Sequence, residues 1–83
     1  MAAKRSVSLH EAIAQVLGNR AMTYQQVADI INARRLFVRD DGMPVPAEQV
    51  RARVHQYKQL FHVDKRQIPH LVMVSHEGGL LRS

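Results

Sequence analysis

Long cations and carboxamides crowd one part of this 83-residue chain. Gln49, Arg51, Arg53, His55, Gln56 and Lys58 fall close together, and Lys65 and Arg66 follow as a pair. Arginine and glutamine carry the paired donors and acceptors that match guanine and adenine edges in a major groove. Lysine and arginine on a loop match phosphate oxygens. Between residues 46 and 70 there are five Lys and Arg against two Asp and Glu, so +3 of the formal +5 lies in under a third of the chain. If residues 46–59 form a helix, the turn of about 100° per residue sends Val50, Val54 and Tyr57 inward. Gln49, Arg53 and Gln56 then line one shoulder, and Arg51, His55 and Lys58 the other. Ala52 takes the crest, small enough for close approach to a surface.

Other chemistries have weaker support in the residues. Five histidines (His10, His55, His62, His70 and His76) lack paired i, i+4 spacing, and there is no cysteine to complete a zinc set. No metal and no cofactor is expected. Their protonation towards pH 6 adds positive charge, so anion binding is expected to strengthen on acidification. Ser8 and Thr23 read as helix caps rather than nucleophiles, and no Ser/His/Asp order, phosphate loop or carboxylate pair appears. Asp40-Asp41-Gly42 reads as a turn. The chain is therefore expected not to be an enzyme. Tyr24 opens a helix, with its ring expected to pack under the hairpin. Leu36 and Phe37 are expected in the core, though an exposed Leu36–Val38 edge would suit a protein partner.

The elements that position the cations are legible from punctuation and period. Ser8 and Glu11 have capping-box spacing, and Leu9, Ala12, Ile13, Val16 and Leu17 form one apolar stripe, stopped by Gly18-Asn19. Thr23 and Gln26 repeat the box. Met22 is placed to staple onto Val27, and Tyr24, Val27, Ala28, Ile30 and Ile31 supply a second stripe ending at Arg34 and Arg35. Leu36-Phe37-Val38 is β-prone. Pro46 suits the first position of a third helix spanning 46–59. Residues 61–63 and 71–74 read as strands joined by a loop through Lys65, Arg66 and Pro69. Residues 1–7, with Lys4 and Arg5, are expected to be a basic arm, 8–75 the folded domain, and 76–83 a tail with Leu80 and Leu81.

Length and composition narrow the class. At 46% hydrophobic and 23% charged, the chain is expected to be one globular domain rather than a disordered segment. The absence of cysteine excludes a disulfide framework, and no apolar run reaches the ~18–20 residues of a membrane span. A reducing cytoplasm is the expected setting, with nucleoid association if the source is bacterial. Three helices in so short a chain must cluster to hide their stripes, with the hairpin covering an open side. The expected fold is mainly α with a small β-hairpin: a winged helix-turn-helix, with a three-helix cluster and a C-terminal wing.

From residue 8 to about 74 the chain resembles the HARE-HTH family of winged helix-turn-helix domains. The resemblance rests on EAIAQVL at 11–17, AMTYQQVADII at 21–31 and PAEQVRARV at 46–54, followed by an F-x-V strand and a second apolar strand. The family's usual Thr-Pro before the third helix is Val45-Pro46 here, and the aromatic common in its last strand is replaced by Leu71-Val72-Met73-Val74. The resemblance implies a non-catalytic module. Such modules occur fused to restriction and other DNA-modifying enzymes, in chromatin proteins and in an RNA polymerase accessory subunit. Reading DNA, including modified DNA, has been proposed for them, and protein binding occurs too. The expected partner is double-stranded DNA, contacted by Gln49, Arg51, Arg53, His55, Gln56, Lys58, Lys65 and Arg66. The alternative is a protein-docking module of the same fold on a transcription or restriction partner.

Overall fold

A computed structural model describes residues 7–75. Lys4 and Arg5 of the expected arm, and the expected tail with His76, Leu80 and Leu81, lie outside the described residues. The element order is α1 (Leu9–Leu17), β1 (Met22–Thr23), α2 (Tyr24–Arg34), α3 (Ala47–Gln56), β2 (Phe61–Asp64) and β3 (Leu71–Val74). The three helices cluster, and an antiparallel sheet of order β1-β3-β2 closes one side. This is a winged-helix arrangement.

Local signals account for the first two helices. Glu11 Oε1 accepts from the Ser8 N–H at 3.2 Å at the start of α1. Gly18 ends that helix at φ 54° and donates its N–H to Ala14 O at 3.0 Å. Glycine accepts this positive φ without steric penalty. At α2 the box closes in both directions: Thr23 N–H to Gln26 Oε1 at 3.0 Å, and Gln26 N–H to Thr23 Oγ1 at 3.1 Å. The stripes of α1 and α2 meet α3 through Leu9, Ile13, Leu17, Val27, Ile31, Val50 and Val54, all at most 1% exposed. Val7, at the end of the expected arm, packs against this core.

Three expectations about the elements are corrected. Leu36–Val38 forms no strand; the third strand is Met22–Thr23, which pairs Met22 with Val72 and Thr23 with Leu71. A two-residue strand has no alternation to betray it in sequence. Pro46 is the N-cap of α3, extended at φ −85° and ψ 160°, rather than its first helical residue. Its carbonyl accepts from Gln49 and Val50 at 3.1 and 3.3 Å, so the missing N–H costs nothing there. Finally, α3 stops at Gln56. Tyr57 leaves the helical region at φ −116° and ψ 55°, and the Leu60 N–H turns back to Tyr57 O at 2.9 Å.

The connection between α2 and α3 spans twelve residues, 35–46. A helix-turn-helix usually joins its helices in three or four residues, so this longer connection needs its own fastening. Arg35 makes the first bend in the left-handed region at φ 55°, ψ 39°. Gly42, at φ 76°, closes the turn over Asp40 and Asp41, donating to Arg39 O at 3.0 Å. Asn32 then holds the far end. Its Nδ2 donates to Val45 O at 3.0 Å, and its Oδ1 accepts from the Val45 N–H at 2.8 Å. Val45 is 2% exposed, so this paired bond satisfies a backbone that water does not reach easily. No side-chain cap bond forms at Pro46, whose ring carries no acceptor. The Asn32 clasp supplies the anchoring that such a cap would give α3.

Candidate nucleic-acid interface

The outer side of α3 is built by its own period. Val50 and Val54 point into the core, which leaves Arg51, Ala52, His55 and Gln56 exposed and Gln49 and Arg53 half-buried at the flanks. Among the described residues, neither Arg51 nor Arg53 forms a salt bridge with a carboxylate. Their charge therefore faces outwards uncompensated. Glu48, in the first turn of α3, shares the exposed side, where the helix dipole favours a carboxylate. Lys58 is exposed too. Because α3 ends at Gln56, Lys58 sits on the turn beyond the helix and not on its shoulder as expected.

The hairpin extends this surface. An open groove of about 380 Å³ runs between the end of α3 and β2, lined by the polar side chains of His55, Lys58, His62 and Lys65 over a floor that includes Val54 and Phe61. No carboxylate is among its lining residues. His62 belongs with this group although it was not among the residues expected there. The signal was the alternation along β2: Phe61 is buried and His62, one residue on, is exposed on the opposite face. Its cross-strand partner is Met73.

Arg66, expected at the phosphate backbone, is paired within the chain. Its Nε and Nη2 donate to Asp64 Oδ1 and Oδ2 at 3.1 and 3.3 Å, and its backbone N–H donates to Oδ1 at 3.0 Å. Three short-range bonds join this one residue to a carboxylate two positions earlier, so its charge is partly compensated within the chain. The side-chain bond from Arg66, reinforced by the backbone bond, holds the Asp64 carboxyl below its ordinary range, and the same pairing raises Arg66. Lys65 is exposed and makes no such pair among the described residues. The wing therefore offers one uncompensated cation in this loop, rather than two.

This pairing has a testable pH signature. A carboxyl depressed in the folded state contributes stability that is present above its unfolded pKa and lost as pH falls through the folded one. The Asp64 side-chain carbon, followed by NMR, is expected to titrate below the ~3.9 of an unperturbed aspartate. In an Arg66→Ala variant the midpoint should move up towards that value. Identical midpoints in the two proteins would show that Arg66 does not hold the carboxylate.

Tyr24 brings the start of α2 to the same region. Its ring is half-buried and packs against the core. Burial raises its phenol above the ordinary value, and the Arg51 guanidinium opposes that rise.

Two arrangements elsewhere bear on catalysis and metal binding. Ser8 Oγ lies 3.1 Å from His10 Nδ1, a serine–histidine contact of the kind a nucleophile needs. The His10 ring, however, stacks on Tyr57, with centroids 3.9 Å apart and planes at 15°, and no carboxylate orients it among the described hydrogen bonds. The contact instead fastens the start of α1 to the end of α3. Among the described residues, no group of three His, Asp or Glu side chains is placed to hold a metal ion. No described helix is long and apolar enough to cross a membrane.

No protein-family model matches the chain, and neither does any curated protein or solved structure at a significant level.

Proposed function

We propose that this chain is a non-catalytic DNA-binding module that lays α3 against the major groove of duplex DNA and sets its hairpin wing against the adjoining backbone. The observation that carries this reading is a set of exposed cations, Arg51 on α3 and Lys58 and Lys65 on the groove between α3 and β2, none of them paired with a carboxylate among the described residues. Nothing in the packing of the core requires these unpaired cations, whereas a phosphate backbone is bound by such charges. Arg53 and Gln56, on the other flank, have the chemistry for base edges. The resemblance to HARE-HTH domains points the same way and implies a setting within a restriction, DNA-modification or transcription-associated protein of the cytoplasm or nucleoid.

Fluorescence anisotropy with a random-sequence duplex tests the proposal. Binding is expected at ~50 mM salt and should weaken steeply by ~200 mM, as counterion release demands. Amide shifts should move along α3 and β2 and leave α1 still. A folded protein that binds no duplex even at low salt overturns the reading.

That outcome would favour a second reading, docking onto a protein partner. Its support is a specific apolar exposure. Val38 and Met43 are 58% and 59% exposed on the long connection, beside an open groove of about 220 Å³ that also includes Phe37. The Arg39–Asp41 ion pair at 2.8 Å leaves this region without the net positive charge of α3.

A further inference from the structure

We propose that Ile68 is an apolar wedge at the tip of the wing, which enters the minor groove and partly unstacks a base step. The inference rests on the DNA-binding reading above and adds to it a residue, a groove and a change in the shape of the DNA. Ile68 is 91% exposed, far more than Val38, Met43 or Leu60, the other large apolar side chains that lie open. A lone exposed apolar residue is ordinary on a protein surface; the surroundings make this one different. It sits at the turn of the β2–β3 hairpin with Lys65, Arg66 and Gln67 before it and Pro69 after it, all exposed. The only carboxylate nearby in the chain, Asp64, is already held by Arg66. Val38 and Met43, by contrast, flank a turn that carries Asp40 and Asp41.

A bare isoleucine backed by proline, with the unpaired Lys65, the Asp64-paired Arg66 and the Gln67 carboxamide before it, has the composition of a minor-groove wedge. Proteins that kink DNA insert Ile, Leu, Phe, Met or Pro between base pairs while Arg, Lys, Asn or Gln hold the groove walls. The reach is adequate. From Phe61 to Asp64 the strand advances roughly 10 Å, at about 3.3 Å per residue, and the loop carries Ile68 further. Phe61 lines the groove at the end of α3, and the hairpin runs on from there to Ile68; with α3 in the major groove, the proposal sets this tip in the neighbouring minor groove. Burying isoleucine between bases offsets part of the unstacking energy and bends the duplex away from the wedge.

The experiment compares the wild-type protein with Ile68→Ser and Ile68→Leu on a duplex carrying end-to-end FRET labels and a 2-aminopurine reporter placed in turn along the site. Such an exposed position leaves the fold intact in both variants. Wild-type protein is expected to shorten the end-to-end distance and brighten 2-aminopurine at one step. Ile68→Ser should abolish both signals and weaken binding about tenfold, with the salt slope unchanged because no phosphate contact is lost. Ile68→Leu should retain all three properties. Wild-type binding to a straight duplex with unaltered stacking overturns the wedge and leaves the DNA-binding reading standing; no binding at all overturns both. Anionic phosphatidylserine vesicles form a third arm. Ile68-dependent binding to them, tighter than to duplex, would assign the tip to a lipid surface and overturn the proposal.

Discussion

Replacing Asn32 with alanine is expected to lower the unfolding free energy by about 2–3 kcal/mol, because both backbone groups of Val45 lose their partner at once. Folded domains gain roughly 0.05–0.15 kcal/mol per residue, so the change removes a large fraction of the stability of a chain of 83 residues. For this size it corresponds to a fall in Tm of roughly 10–20 °C. The two halves of the clasp are separable. Asn32→Asp retains an acceptor for the Val45 N–H but sets a carboxylate oxygen against the Val45 carbonyl, and should cost at least as much, the excess reporting on the carbonyl half. Thermal unfolding followed by circular dichroism gives the totals, and hydrogen exchange at the Val45 amide reports on the bond itself. The loss should be felt at the start of α3, since residues 35–46 are tied to α2 there and nowhere else by a side-chain bond among the described residues. A loss below 0.5 kcal/mol, with the Val45 amide still protected, would show that the connection holds α3 without Asn32.

Why Asn32 escaped a reading of the sequence is instructive. Asparagine near a helix C-terminus is common, and its partner lies 13 positions away, beyond any local motif. Local motifs were legible wherever a rule couples neighbours. Ser8 with Glu11 and Thr23 with Gln26 follow from spacing alone, as do the buried stripes of α1 and α2. The same holds for the two strands of the hairpin. What depends on the return of the chain was not legible: β1 exists because Met22 and Thr23 meet Val72 and Leu71, and Leu36–Val38, which has the better β composition, meets no strand. The end of α3 at Gln56 likewise reflects tertiary structure. Tyr57 leaves the helix, its ring stacked on His10.

For the site, helical period was the reliable guide. It identified Arg51, Ala52, His55 and Gln56 as exposed and Val50 and Val54 as buried, and the structure agrees. Charge type was a poorer guide than position. Lys65 and Arg66 are adjacent and carry the same charge at neutral pH, yet one is uncompensated and the other is bonded three times to Asp64. A count of cations from sequence treats them alike. Glu48 matters for the same reason, since it places a negative charge on the face that the cations were expected to own.

Those distinctions set the largest effect expected on binding. Changing Arg51, Lys58 and Lys65 together to alanine should reduce duplex affinity at low salt by about two orders of magnitude, at about 1 kcal/mol for each contact with ~1.4 kcal/mol per tenfold. The decisive readout is the salt dependence. Each phosphate neutralised contributes ~0.9 to the slope of log affinity against log salt, so losing three should flatten it by ~2.7. Between ~50 and ~200 mM the variant should lose about 40-fold less affinity than wild type. Arg66→Ala should leave the slope nearly unchanged, because its guanidinium is already engaged by Asp64. Arg53→Ala or Gln56→Ala should alter preference among sequences without flattening the slope, if those side chains read base edges. The three cations of the first variant are exposed, so its unfolding transition is expected to stay within about 0.5 kcal/mol per substitution of wild type, and a binding loss is then not a folding loss. An unchanged slope in the triple variant would mean that its cations touch no phosphate, and the duplex would have to lie on some other face.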